Sequence, residues 1–331
     1  MNCPNCGAPV KADDVFCGNC AQALPKPAAT SAPEGGESAV AAPVASVVQA
    51  GTYSAEISRQ HPACLVFLID QSGSMNEPIG GGSGETKKAV VADAVNRLMQ
   101  EIVLRCAKED AIWGYFDVGV WSYGGPSGDV HAEFGSGLTS ISTIGAQPKR
   151  NEMRKRRVSD GAGGLVEQEF HFPIWFDAVS HGLTPMNAAF RAIVDPLRAW
   201  IGQHPSSYPP ILINLTDGAF TDENPLATVQ QLMQLGTSDG NVLVFNCHIS
   251  KAGGQEVKFP DDGAAARLPD AARQLYDMSS RLTDSMRRQA EQQGYLVSPG
   301  SRGYVYNAEL VTLIEFLDIG THAVQDRVEV V

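Results

Sequence analysis

The chain of 331 residues has no apolar run approaching the roughly 18 to 20 residues that a membrane span requires, so no spanning segment is expected. Its opening, Met1-Asn2-Cys3-Pro4-Asn5-Cys6, lacks a charged stretch followed by an apolar one, and a signal peptide is not expected either. Positive charge is scarce: 25 Lys and Arg stand against 37 Asp and Glu, a net charge of -12. That balance argues against broad binding to nucleic acids or anionic membranes, while leaving room for a local basic patch. Catalytic signatures are missing as well. The histidines show no H-E-x-x-H spacing. Ser72-Gly73-Ser74 lacks the Gly-x-Ser-x-Gly elbow of hydrolases. The glycine-rich stretch Gly80–Gly84 lacks the Gly-Lys pair of a phosphate-binding loop. With no nucleophile, base and oxyanion donor assembled, an enzyme is not expected.

Cysteine is sparse but patterned. Cys3, Cys6, Cys17 and Cys20 form two C-x-x-C knuckles separated by ten residues, while Cys64, Cys106 and Cys247 stand alone. Four thiolates at such spacing can surround Zn²⁺ tetrahedrally. Residues 1–22 are too few to bury a useful core, so the metal must supply the folding energy, on the order of 10–16 kcal/mol. The pattern resembles the short N-terminal zinc ribbons of bacterial multidomain proteins. Residues 23–50 are rich in Ala, Pro, Ser and Gly and read as a flexible linker. The three scattered thiols fit reduced core residues in a reducing, cytoplasmic compartment.

With 43% hydrophobic residues, the remainder can build one large core. Strand and helix patterns alternate from residue 51 to residue 331, the mark of an α/β fold: a doubly wound, mostly parallel sheet flanked by helices. Cys64-Leu65-Val66-Phe67-Leu68-Ile69 has the length and composition of a strand buried on both faces. A helix is expected from about Thr86, with Val91, Val95, Leu98 and Ile102 on one face. Strands follow at Ala111–Tyr123 and, as an antiparallel edge, at Val130–Phe134. Residues 135–164 break the alternation and read as a polar insertion, whose basic run Lys149, Arg150, Arg154, Lys155, Arg156 and Arg157 is expected to be a solvated loop. Further strands are expected at Ile211–Leu215 and Val242–Ile249, helices after Pro185 and Pro225 and over Ala308–Leu317, and a helix-rich stretch over Ala271–Gln293.

The central strand ends in Asp70-Gln71-Ser72-Gly73-Ser74, three oxygen side chains on one turn. Such ligands suit hard cations, Mg²⁺ or Mn²⁺, better than zinc or copper. Two further segments carry matching chemistry: Thr184 in Gly-x-Thr-Pro-Met and Asp217 in Thr-Asp-Gly. Together, and in this order, the three segments resemble the metal-ion-dependent adhesion site (MIDAS) of von Willebrand factor A-type (VWA) domains. The resemblance spans about residues 60–320. It implies that Ser72, Ser74 and Thr184 bind the metal directly, and that Asp70 and Asp217 act through water or accept hydrogen bonds from the hydroxyls. It also implies an open coordination position for an Asp or Glu carboxylate of a partner protein. The function expected is therefore that of a bacterial metal-dependent adaptor in signalling or stress response. The competing expectation is a nucleic-acid-linked protein that uses the ribbon and the basic run, with the VWA domain as scaffold. Glu77, Asp222 and Glu223 are expected to be solvated charges, and His181 a loop residue without a role.

Overall fold

The apolar run that begins at Cys64 lies inside the sheet around which the chain is wound. The computed structural model describes residues 51–325, apart from 80–83, 109–110, 126–128, 136, 160–163 and 250–254. The chain divides into two units, Met1–Ala45 and Ser46–Val331, and every described residue belongs to the second. The expected ribbon (1–22) and linker (23–50) lie outside the described residues, and Cys3, Cys6, Cys17 and Cys20 with them.

In chain order the principal strands are β1 (Ala63–Gln71), β2 (Phe116–Gly124), β3 (Asp129–Ala132), β4 (Arg150–Ser159), β5 (Leu165–Ile174), β6 (Ile211–Thr216), β7 (Leu243–Ile249), β8 (Val257–Lys258) and β9 (Tyr304–Ala308). The main sheet runs β8-β9-β7-β6-β1-β2-β3, and the short strand Thr139–Ser140 also pairs with β2. The five inner strands are mutually parallel. β3 and β8 close the edges antiparallel, β3 where an edge strand was expected.

The principal helices are α1 (Lys87–Cys106), α2 (Ile141–Ala146), α3 (Met186–Gln203), α4 (Leu226–Gln234), α5 (Asp270–Asp277), α6 (Asp284–Gln292) and α7 (Leu310–Gln325). Alternation along β1 assigns its side chains to two cores. Leu65, Phe67 and Ile69 pack with Val95 and Ile102 of α1, Met286 of α6 and Phe316 of α7. Cys64, Val66 and Leu68 pack on the other face with Phe190 and Leu197 of α3, Leu232 of α4 and Leu275 of α5. All nine residues of β1 are buried, as a parallel strand covered on both faces requires. Cys64, Cys106 and Cys247 are free, buried thiols. No helix among the described residues is long and apolar enough to cross a membrane.

The winding order places the site. From β1 the chain passes through α1 to β2 on one side. After α3 it returns to β6 on the other side of β1, then moves outward to β7 and β9. The direction reverses between β1 and β6, so the loops leaving their carboxyl ends diverge and open a crevice.

One expectation needs correction. The basic run is a strand and not a loop: β4 pairs with β5 over ten residues, from Arg150 opposite Ile174 to Ser159 opposite Leu165, as a ribbon separate from the main sheet. Extended pairing is tolerated because the cations have local partners. The Arg154 guanidinium lies 3.7 Å from the Phe172 ring centre and pairs with Asp93 of α1, and Lys155 faces Glu167 at 3.5 Å. The helix-rich stretch expected over Ala271–Gln293 is there as two helices, α5 and α6, the second capped by the Thr283 hydroxyl accepting from the Met286 amide.

Candidate metal centre

Asp70 and Asp217 end neighbouring strands, and this adjacency brings their loops into contact. The Ser72 amide donates to Asp70 Oδ1 at 2.7 Å, and the Thr216 hydroxyl donates to Asp70 Oδ2 at 2.7 Å. The chain then makes a short 3₁₀ turn, Gly73–Asn76, which swings Ser74 back over the strand end. Ser72 Oγ and Ser74 Oγ lie 3.1 Å apart, and Ser74 Oγ donates to Asp217 Oδ1 at 2.7 Å. Four of the five residues singled out in the sequence thus form one hydrogen-bonded cluster.

Thr184, the fifth, is buried on a loop laid against the same turn. The Gly73 amide donates to the Gly182 carbonyl at 3.1 Å, and the His181 amide donates to the Gln71 carbonyl at 2.7 Å. The ring of His181 is exposed; its backbone holds the two loops together. Gly124, at the end of β2 with φ +89°, is pressed into this junction: a Cβ there would lie 2.7 Å from the Leu183 carbonyl oxygen and 2.9 Å from the Ser72 nitrogen. The loop after β6 secures Thr184 in turn. The Thr184 amide donates to Thr221 Oγ1 at 2.9 Å, and the Thr221 amide donates back to the Thr184 carbonyl at 2.9 Å.

Of the three acids expected to be solvated, Glu77 and Glu223 have exposed side chains as expected, while Asp222 has a structural role as well. Asp222 accepts from the Asn187 and Ala188 amides at 3.1 and 2.9 Å, capping α3, whose own first turn has neither an acid nor a side-chain cap. Glu223 binds Arg191 at 2.6 Å. Glu77 pairs at 2.9 Å with Lys87, a residue that sequence reasoning did not place in the site. The Lys87 side chain is wholly buried, and its Nζ lies 2.7 Å from Asp217 Oδ2 and 3.5 Å from the Ser74 carbonyl oxygen. Thr216 and Gly124 were missed for the same reason, because only the neighbouring strand gives them a role.

Burial pushes the Asp70 carboxyl up to about 6, against the pull of hydrogen bonds from Ser72 and Thr216 and with a further push from Asp217. Among the described residues no group of three or more His, Cys, Asp or Glu side chains is gathered as in an all-protein metal cage. The donor set is of another kind, hydroxyls backed by carboxylates. Its chemistry fits a small hard cation. Oxygen ligands at about 2.0–2.1 Å on adjacent octahedral vertices are about 2.9 Å apart, close to the 3.1 Å between the two serine oxygens. Because Ser74 gives its proton to Asp217, it meets the Ser72 hydroxyl as an acceptor and keeps a second lone pair for a cation. A cavity of about 250 Å³ opens beside Asp217, between Gly218, His248, Leu275 and Tyr306. A larger cavity of about 630 Å³ lies away from these loops, around Gly51–Ser54, Leu243 and Thr283–Ser285.

No protein-family model matches the chain, and no curated protein matches it. Solved structures do resemble it. One is the ArnB paralog VWA2 from Sulfolobus acidocaldarius, at 15% identity over 58% of this chain and 36% of that one, with a TM-score of 0.31. Another is proximal thread matrix protein 1 from the mussel byssus, at 12% identity over 81% and 47%, with a TM-score of 0.40. A third is the pilus adhesin SpaC from Lactobacillus rhamnosus GG, at 11% identity over 82% and 32%, with a TM-score of 0.44. The matched region spans less than half of each of those chains. Likenesses of this size carry no argument about activity, and the fold assignment rests on the strand order itself.

Proposed function

We propose that the described unit is a VWA-type domain whose crevice holds Mg²⁺ or Mn²⁺ at a MIDAS and docks a carboxylate of a partner protein. The observation that carries the reading is the junction of Ser72, Ser74 and Asp217 within hydrogen-bond distance at the β1–β6 switch point. In this reading Ser72, Ser74 and Thr184 hold the cation, with Asp70 and Asp217 orienting the hydroxyls and bound water. The cation supplies a Lewis-acidic position that an external Asp or Glu oxygen completes. Neutral hydroxyls leave it under-neutralised, so an anionic side chain of a partner is its natural complement.

The nucleic-acid alternative is less well supported. Lys149, Arg150, Arg154 and Lys155 each have a carboxylate partner on the described surface: Glu133, Asp177, Asp93 and Glu167 respectively. The zinc ribbon at Cys3, Cys6, Cys17 and Cys20 is proposed on spacing alone, and one zinc per chain by elemental analysis is the expected result.

The test of the docking role is Mn²⁺ titration followed by partner capture from the native host in Mg²⁺ and in EDTA. Saturable Mn²⁺ binding, with capture that EDTA removes, is expected. Capture that persists in EDTA would defeat the proposal.

A further inference from the structure

Asp217 faces two ways. One oxygen takes the Ser74 hydroxyl at 2.7 Å, and the other takes the Lys87 ammonium at 2.7 Å. Lys87 is the first residue of α1, so the helix that packs on β1 drives this cation into the back of the site. Its side chain and that of Asp217 are both 0% exposed, whereas Glu77, the second carboxylate on the ammonium, is 53% exposed. A lysine so buried is held by its ion pairs, and in this environment its charge acts on its neighbours with little screening.

We propose that Lys87 is a built-in counter-cation that sets the metal affinity of the site. This rests on the metal-docking reading above and adds to it a means of regulation. The ammonium, shared between Asp217 and the half-exposed Glu77, offsets much of the Asp217 charge, so a divalent cation held by the serine hydroxyls meets a reduced negative charge. The metal alone is bound loosely. An external carboxylate supplies the missing negative charge, so metal and partner bind cooperatively, each strengthening the other. The same ion pair holds the Ser74 turn to the Asp217 loop, which keeps the hydroxyls gathered before any metal arrives.

The experiment compares the full chain with its Lys87→Gln variant. Mn²⁺ affinity is read from the electron paramagnetic resonance signal of the free ion, with acetate exchanged for chloride at constant ionic strength. The native chain is expected to bind Mn²⁺ weakly in chloride and more tightly in acetate. Lys87→Gln removes a positive charge that sits 2.7 Å from Asp217 and is expected to tighten binding in chloride by about tenfold or more, with little further gain from acetate. A folded Lys87→Gln that binds no more tightly than the native chain overturns the inference while leaving the metal site standing. No Mn²⁺ binding by either protein overturns the metal reading itself, and the inference with it. If Lys87→Gln does not fold, Glu77→Gln carries the test. Loss of that half-exposed carboxylate throws more of the ammonium's charge onto Asp217, so Mn²⁺ binding is expected to loosen severalfold, and unchanged binding overturns the proposal.

Discussion

Asn214 and Asn246 stand directly opposite one another on β6 and β7, both fully buried, and the Asn214 side-chain amide donates to the Asn246 side-chain oxygen at 3.0 Å. The pair is the middle of a polar chain through an otherwise apolar layer. The Tyr123 hydroxyl donates to Asn214 at 2.8 Å, and Asn246 donates onward to the Met278 carbonyl and to Ser279 Oγ at 3.1 and 3.0 Å. The chain ties β2, β6 and β7 to the end of α5. Asn246→Leu strips the Met278 carbonyl and Asn214 of their partner without shrinking the side chain, and is expected to destabilise by about 1–3 kcal/mol in denaturant unfolding. Tyr123→Phe, which leaves one acceptor short, is expected to lose about 1 kcal/mol.

The buried ion pair changes how the proposed metal site is best probed. On the sequence alone, Asp217→Ala reads as a mild way to abolish capture with little loss of fold. With Lys87 behind it, that variant leaves a buried ammonium with Glu77 as its remaining carboxylate among the pairs described, and an expected loss of about 3 kcal/mol. Ser72→Ala is the cleaner probe: Mn²⁺ binding should fall sharply while the urea midpoint moves little. A Ser72→Ala protein that still binds Mn²⁺ like the native chain would exclude this hydroxyl as a ligand.

Acid should release the ribbon. Burial alone would raise the Asp93 carboxyl, but Arg97 and Arg154 hold it below its ordinary value of 3.8. A lowered carboxylate contributes its stability above the unfolded value and loses it as pH falls through the folded one, so the clamp fails below about pH 3.8. The pair is part-exposed, so the effect is about 0.5–1 kcal/mol. Amide exchange in β4 and β5 should quicken in that window, and Asp93→Asn should show the same quickening at neutral pH. Equal acid sensitivity in both proteins would disprove the clamp.

The start of the described unit is latched by one residue. Asp239 accepts from the Thr52 hydroxyl at 2.6 Å and from the Ser54 and Ala55 amides at 2.8 and 3.0 Å. Tyr53 packs beside Tyr208 with ring centres 6.1 Å apart, and Ile57 is wholly buried. A chain beginning at Gly51 is expected to fold cooperatively, whereas one beginning at Ser58 is expected to melt at a clearly lower temperature. Asp239→Ala should lose about 2–3 kcal/mol, because it deprives several amide and hydroxyl donors of one charged acceptor.

Much of this architecture could be read from residues close in the chain. Six apolar residues in a row and a period of three to four after Thr86 are local signals, because side-chain direction repeats with the backbone that carries it. They located β1 and α1, and the residues singled out beyond them include four, Asp70, Ser72, Ser74 and Asp217, that the fold brings together. The ribbon was misjudged because a cationic strand looks like a loop until its neighbours are known: Arg154 is stable there because Asp93 and Phe172 are beside it.

The inward turn of Lys87 had no local sign at all. Its buried partner, Asp217, lies 130 residues away, and the two meet because winding sets β6 against β1 and the start of α1 over both ends. Periodicity tells which face of an element is buried. Which charges share that burial depends on the strands that become neighbours, and that is a property of the folded sheet.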